Sequence, residues 1–267
     1  MSLALKLVLA PLLVAQAVAT RKRAPLLPEA AGPREGRVGG GDGALRVLIA
    51  GDSSAAGVGV ELQDQALAGY LSRALHRRAR RPVDWMLRAK SGLTTRQVHE
   101  LLRAEAAPPA DVAVVVSGVN DVIDLVSPQR AITHRAALAD WLLAEHGVAH
   151  VLFTPLPPVH RFPLLPQPLR GVMGRDALAH NAALRQWAAT RRDVSCVTID
   201  IPLQADSMAR DGFHPGEPVY RACGEAEDAI GAWSDSDGVA ATADDHEPRF
   251  DASHSFRGNR MRVGRSQ

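Results

Sequence analysis

With 267 residues the chain has room for one or two domains. Hydrophobic residues at 46% and charged residues at 22% suit a globular core and exclude disorder along the whole chain. A net charge of +2 is too small to mark a nucleic-acid or strongly acidic partner.

The first segment, Leu3 to Ala19, is apolar apart from Lys6 and Gln16, and Pro11 interrupts it. Spanning a bilayer takes roughly 20 apolar residues, so this stretch is marginal. Ala17-Val18-Ala19 has the form of a signal-peptidase site. The Arg21-Lys22-Arg23 cluster directly behind it opposes translocation, since such cations favour the cytoplasmic side. An export signal cut near Ala19, leading to the periplasm, a short anchor and an interfacial segment are all open at this point. The basic cluster favours membrane association through residues 3–19, with the rest of the chain in the cytoplasm. Residues 24–44 carry Pro25, Pro28, Pro33 and Gly39-Gly40-Gly41 and read as a linker after the 1–23 segment.

The pattern from Leu45 onward alternates strand-like and helix-like stretches. Leu45-Arg46-Val47-Leu48-Ile49-Ala50 is an apolar run that stops at Gly51-Asp52-Ser53-Ser54. A helix is expected from near Asp64, with Leu67, Tyr70, Leu71, Ala74 and Leu75 on its inner side. Arg77, Arg78, Arg80 and Arg81 then read as cations at a helix C-terminus before Pro82 rather than as a phosphate patch. Further strands are expected at Val83–Arg88, Val112–Val116, His150–Thr154 and Val194–Asp200. Val112–Val116 is apolar on both parities, as a strand covered on both faces would be.

Helices fit between these strands. Thr94-Thr95-Arg96-Gln97 has the capping-box pattern, Ser127-Pro128 supplies an N-cap with proline at the first position, and Gly147 closes that helix. Asp176–Arg192 and a last helix from Glu217-Pro218, with Val219, Cys223, Ala226 and Ile230 on one face, complete the set. Strands separated by helices imply a parallel sheet with right-handed crossovers. The expectation is one three-layer α/β domain over residues 45–233, followed by a disordered tail, 234–267, that lacks apolar periodicity. Cys196 and Cys223 have no CxxC or metal spacing and read as buried thiols.

Four polar clusters fall at the carboxyl ends of the expected strands, hence along one rim. They are Ser53, Ser91-Gly92, Gly118-Val119-Asn120-Asp121 and Asp211-Gly212-Phe213-His214. A serine hydroxyl becomes a useful nucleophile once a base takes its proton, and His214 is the candidate. Asp211, three residues earlier, can accept the other imidazole proton. A tetrahedral intermediate needs convergent donors, which the backbone N–H groups of Ser53 and Gly92 and the carboxamide of Asn120 can supply. Asp52 and Asp121 read as structural.

In this order the blocks resemble those of the SGNH (GDSL-type) hydrolase family. The resemblance implies a flavodoxin-like domain with a five-stranded parallel sheet and ester hydrolysis through an acyl-serine. It also implies Ser53 as nucleophile, His214 as base, Asp211 as its partner, and Ser53, Gly92 and Asn120 as the oxyanion hole. The substrate would be a small acyl ester or thioester, without a metal or organic cofactor. An acyltransferase or a polysaccharide O-deacetylase could use the same site. A nucleotide-binding or catalytically inactive domain is the alternative of a different class. However, the Gly51–Gly59 loop has no Gly-Lys-Ser/Thr ending and no GxGxxG spacing. The sequence also lacks GxSxG and HExxH. Between Pro155 and Leu169 a proline-rich loop follows the fourth strand, and its Leu156, Phe162 and Leu164 are candidates to wall an acyl pocket.

Overall fold

A computed structural model of the chain describes residues 3–105, 109–197, 199 and 204–226. The expected 234–267 tail lies outside them, as does Ile230. The helices are α1 (Leu3–Arg23), α2 (Leu67–Ala79), α3 (Thr95–Ala104), α4 (Val119–Ile123), α5 (Pro128–Glu145), α6 (Leu169–Ala188) and α7 (Glu217–Glu225). The strands are β1 (Glu35–Val38), β2 (Leu45–Gly51), β3 (Val83–Ala89), β4 (Val112–Val116), β5 (His150–Phe153) and β6 (Val194–Cys196).

The sheet runs in the order β1-β3-β2-β4-β5-β6. All neighbours from β3 to β6 pair in parallel, and β1 joins β3 antiparallel at the edge. The sheet therefore has six strands, where five are expected from the sequence, and the extra one comes from the stretch expected as a linker. Its residues Glu35-Gly36-Arg37 are exposed, so they carry no alternation that would betray a strand. Without β1 the order is flavodoxin-like, and the direction of winding reverses between β2 and β4. Open α/β sheets bind ligands outside the strand ends at such a switch point.

Alternating side chains build two cores on the faces of the sheet. Leu45, Val47 and Ile49 of β2, with Val112 and Val114 of β4, pack under α2 and α7. Leu48 and Ala50, with Ala113 and Val115, meet α3, α5 and α6 through Val98, Leu138, Leu142 and Leu184. A third cluster sits over the rim and joins the proline-rich loop to the start of α6 through Leu156, Val159, Phe162, Leu165 and Leu169.

Local signals set most boundaries. The Thr94 hydroxyl accepts from Gln97 N–H while the Gln97 carboxamide oxygen accepts from Thr94 N–H, closing the box at the head of α3. Ser127 caps α5 by accepting from Arg130 N–H. The helix expected from Asp64 begins instead at Leu67, after a short 3-10 turn at Gln63–Gln65. Helix α6 starts at Leu169, well before the expected Asp176. Its first turns contain Gly171 and Gly174, poor helix formers, but a Cβ on Gly174 would lie 2.6 Å from the Cβ of His160. Close packing of the rim loop overrides propensity there.

The fully buried Leu138 and the half-exposed Leu178 separate core from surface. Leu138→Ala is expected to lower unfolding free energy by about 2–5 kcal/mol, and Leu178→Ala by less than about 0.5 kcal/mol. Urea titrations of both variants check this.

Candidate active site

Ser53 stands two residues past β2, and His214 lies just before α7. The two meet at the rim, with His214 Nε2 3.1 Å from Ser53 Oγ. On the other side of the ring, Nδ1 is 2.6 Å from Asp211 Oδ2. The second carboxylate oxygen, Oδ1, accepts from the backbone N–H groups of Phe213 (2.9 Å) and His214 (3.0 Å). Asp211 is buried and His214 partly open. Burial, the largest influence, acts to raise the Asp211 carboxyl. The bonds from His214 and the two N–H groups outweigh it and hold the carboxyl below its ordinary range. A carboxylate kept ionised beside Nδ1 favours the tautomer whose free Nε2 faces the serine.

The other two clusters converge on the same edge. Asn120 Nδ2 donates to Leu93 O at 3.0 Å, which ties the loop after β4 to the loop after β3. That bond uses one of the two amide hydrogens. Among the described residues, the N–H groups of Ser53 and Gly92 donate to no protein acceptor. Gly92 has φ +83°, and nothing lies within 4 Å of where a Cβ would project. Gly118 has φ +135°, and a Cβ on it would lie 2.6 Å from Arg135 Nη2. The arrangement can move a proton from a hydroxyl to an imidazole and offer donors to an oxyanion formed beside it.

Residues 49–222 match the profile of the GDSL-like Lipase/Acylhydrolase family. The chain belongs to that family. Its members hydrolyse ester bonds, and this protein is such a hydrolase. No curated protein matches the chain. Among solved structures, it is similar to the lipase Lip_vut3 from a goat rumen metagenome (18% identity, TM-score 0.59, covering 71% of this chain and 98% of that one). It is also similar to a Clostridium thermocellum family 3 carbohydrate esterase (16%, 0.52, 72% and 94%). A third is Est24, a carbohydrate acetylesterase from Sinorhizobium meliloti (16%, 0.52, 71% and 99%). These likenesses carry the fold.

In this GDSL-family hydrolase the remaining residues singled out from sequence take structural places. Leu156 and Phe162 are buried in the cluster over the rim, and Leu164 is half-buried with its N–H on Gly212 O. Leu156 and Phe162, expected as candidates to wall an acyl pocket, pack into that cluster with Leu165 and Leu169. Phe162 supports Phe213 edge-on at 5.2 Å, one residue before His214. Asp121 is buried and accepts from Thr95 N–H (3.1 Å) and Thr95 Oγ1 (2.5 Å). Cys196 and Cys223 are free and half-buried. Among the described residues, no group of His, Cys, Asp and Glu is placed to hold a metal ion.

A surface cleft of about 570 Å³ is lined by Glu29, Arg34, Arg88, Lys90 and Glu105, and neither Ser53 nor His214 is part of its lining. Ion pairs Arg34–Glu29 and Arg88–Glu105 line it. Three supports escaped the sequence reading. Glu29 accepts from Ser91 N–H (2.7 Å) and Ser91 Oγ (2.8 Å), next to Gly92. Thr95 anchors Asp121. Arg135, fully buried, donates to Ser117 O at 3.3 Å beneath Gly118. Only Thr95 had a signal, its place beside the capping Thr94.

Asp52 is buried, and its Oδ1 accepts from Ser54 N–H at 2.9 Å. Desolvation pushes its carboxyl up to about 7. A folded-state value above the unfolded one means that stability is fully present below the unfolded carboxyl range. It is lost as pH rises towards 7, by up to about 1.4 kcal/mol per pH unit. Asp52→Asn keeps the acceptor and removes the titration. Its unfolding free energy, measured from pH 4 to 8, is expected to lack that decline. An unchanged slope would assign the titration to another group.

Proposed function

We propose that the protein is a serine esterase acting on carboxylic esters or thioesters of modest size through an acyl-serine intermediate. The observation that carries this reading is the unbroken chain Ser53 Oγ, His214 Nε2, His214 Nδ1, Asp211 Oδ2, at 3.1 and 2.6 Å. Ser53 Oγ attacks the acyl carbon while its proton passes to His214 Nε2. The carbonyl oxygen takes the electron pair and is met by the N–H groups of Ser53 and Gly92 and the Asn120 carboxamide. Collapse breaks the bond to the leaving group, which takes the proton from His214. Water then gives a proton to His214 and adds to the acyl carbon, and in the second collapse the bond to Ser53 Oγ breaks, Oγ takes that proton back from His214 and the carboxylic acid leaves.

Asp211 serves by position and charge. It orients the ring and stabilises the imidazolium, and it keeps its own negative charge throughout. The open space at Gly92 leaves room for the carbonyl oxygen to approach the backbone.

The roles separate by magnitude. Ser53→Ala and His214→Ala are expected to lower kcat on a chromogenic acetate ester by on the order of 10⁶, and Asp211→Ala by about 10⁴. Asn120→Ala should lose roughly 10²–10³ and leave measurable turnover. Wild type should be labelled by a serine-reactive fluorophosphonate and Ser53→Ala should not. Equal activity of Ser53→Ala and wild type ends the proposal.

A further inference from the structure

Helix α1 runs from Leu3 to Arg23 with Lys6 and Gln16 as its polar interruptions before Thr20. A helix apolar on all sides is stable only where all sides are covered, in a core or in lipid. The domain covers one side. Leu13 packs into the cluster over the rim, and Gln16 donates to Gln167 O (2.6 Å) and accepts from Leu169 N–H (3.1 Å).

At about 100° per residue, Val8, Leu12, Val14 and Val18 spread over the half turned away from Leu13. They are bare, Val8 at 77% and Val14 at 62% exposure, and Leu26 just beyond the helix reaches 98%. Nine large apolar side chains are exposed among the described residues, and these five are more than half of them. No helix among the described residues is long and apolar enough to cross a membrane, and a helix held on one side by the domain and bare on the other can lie in the plane of an interface.

Charge says what covers the stripe. Arg21, Lys22 and Arg23 are all exposed at the end of α1, and no acidic residue occurs from Leu3 to Pro28. A second copy laid along the stripe would offer these cations no carboxylate from its own matching segment. An anionic lipid surface offers both the apolar depth and the counter-charge. The cluster that α1 packs against also contains Val119 and Phe213, the chain neighbours of Asn120 and His214. A bilayer on the stripe would therefore have α1 alone between it and the cluster that supports the rim.

We propose that α1 seats the protein on an anionic bilayer surface and that the esters it cleaves are drawn from that bilayer. The second half rests on the serine-esterase reading above. The test is co-sedimentation of the full chain with vesicles of equimolar phosphatidylcholine and phosphatidylglycerol, and with phosphatidylcholine alone. Hydrolysis is followed on an acyl-lipid ester in the mixed vesicles and on a water-soluble acetate ester.

Wild type should pellet with the mixed vesicles. Combining Arg21→Ala, Lys22→Ala and Arg23→Ala should lower its partition coefficient on the order of a hundredfold, about fivefold per cation. Combining Leu12→Glu, Val14→Glu and Val18→Glu should abolish pelleting and hydrolysis of the vesicle ester, with the soluble ester cleaved at the wild-type rate. The proposal is overturned if wild type stays in the supernatant or if the apolar triple variant pellets like wild type. It is equally overturned if the stripe instead supports a concentration-dependent dimer that the glutamates dissolve. Wild type that binds vesicles yet cleaves neither ester supports the docking surface and removes the esterase reading together with the lipid substrate.

Discussion

One carbonyl oxygen fixes the relation between the two halves of the candidate site. Val116 O, at the end of β4, accepts from Asp52 N–H at 3.0 Å. It sits so close to Gly51 that a Cβ there would lie 2.1 Å away. The loop carrying Ser53 is thus locked to the loop carrying Asn120 at the place where the sheet reverses its winding. Every other contact of the site extends this junction. The Asn120 carboxamide reaches the loop after β3, and His214 closes from the turn before α7 onto Ser53. Side chains gathered from separate strand ends keep their relative places only against a rigid reference. Paired parallel strands with a backbone hydrogen bond across their ends supply it.

The same rim buries more ionisable groups than packing alone would select. Asp52 and Asp121 are buried, and Arg135 lies fully buried beneath Gly118 with its Nη2 4.0 Å from Asp121 Oδ2. Burial works against the Arg135 charge, and Asp121 is the chief group favouring it. Its Nε and Nη1 have no protein partner. Desolvating such groups is unfavourable unless they are bonded. Here they hold backbone in place, with Asp52 on Ser54 N–H, Asp121 on Thr95 N–H and Arg135 on Ser117 O. Polar burial concentrated at this rim, over apolar cores on both faces of the sheet, is the division expected where geometry is selected above stability.

Much of this was legible in the sequence because the informative features are local. Val112–Val116 shows its two-sided burial directly, and Thr94–Gln97 announces its cap. The four polar clusters follow apolar runs, so a parallel sheet necessarily gathers them on one edge. What stayed hidden depends on contacts far apart in the chain. Strand β1 is an exposed edge strand, recognisable only by its pairing with β3. The first turns of α6 look unhelical because Gly171 and Gly174 are read for propensity, whereas the loop at His160 uses the space they leave. Leu156 and Phe162 are apolar whether they line a pocket or fill a core, and only three dimensions distinguish the two. Glu29 and Arg135 are ordinary charged residues until the fold places Ser91 and Ser117 O against them.

The residues ahead of the family domain contribute more than a lead-in. The segment from Glu29 to Val38 runs along β3, where Arg34 O accepts from Leu87 N–H, Arg34 donates to Ala89 O and Glu35–Val38 pairs with Val83–Met86. Glu29 then grips Ser91 by both its N–H and its hydroxyl, across 62 positions of sequence. Burial acts to raise the Glu29 carboxyl, but the bonds from Ser91 and Arg34 hold it below its ordinary range, so the clamp stays ionised. A carboxylate bonded to two donors of one residue restricts the turn that follows, and the next residue is Gly92. Gly92 has φ +83°, a conformation that glycine adopts without a Cβ penalty. Glu29 thus restrains the residue just before Gly92, and this chain supplies that restraint from outside the matched domain.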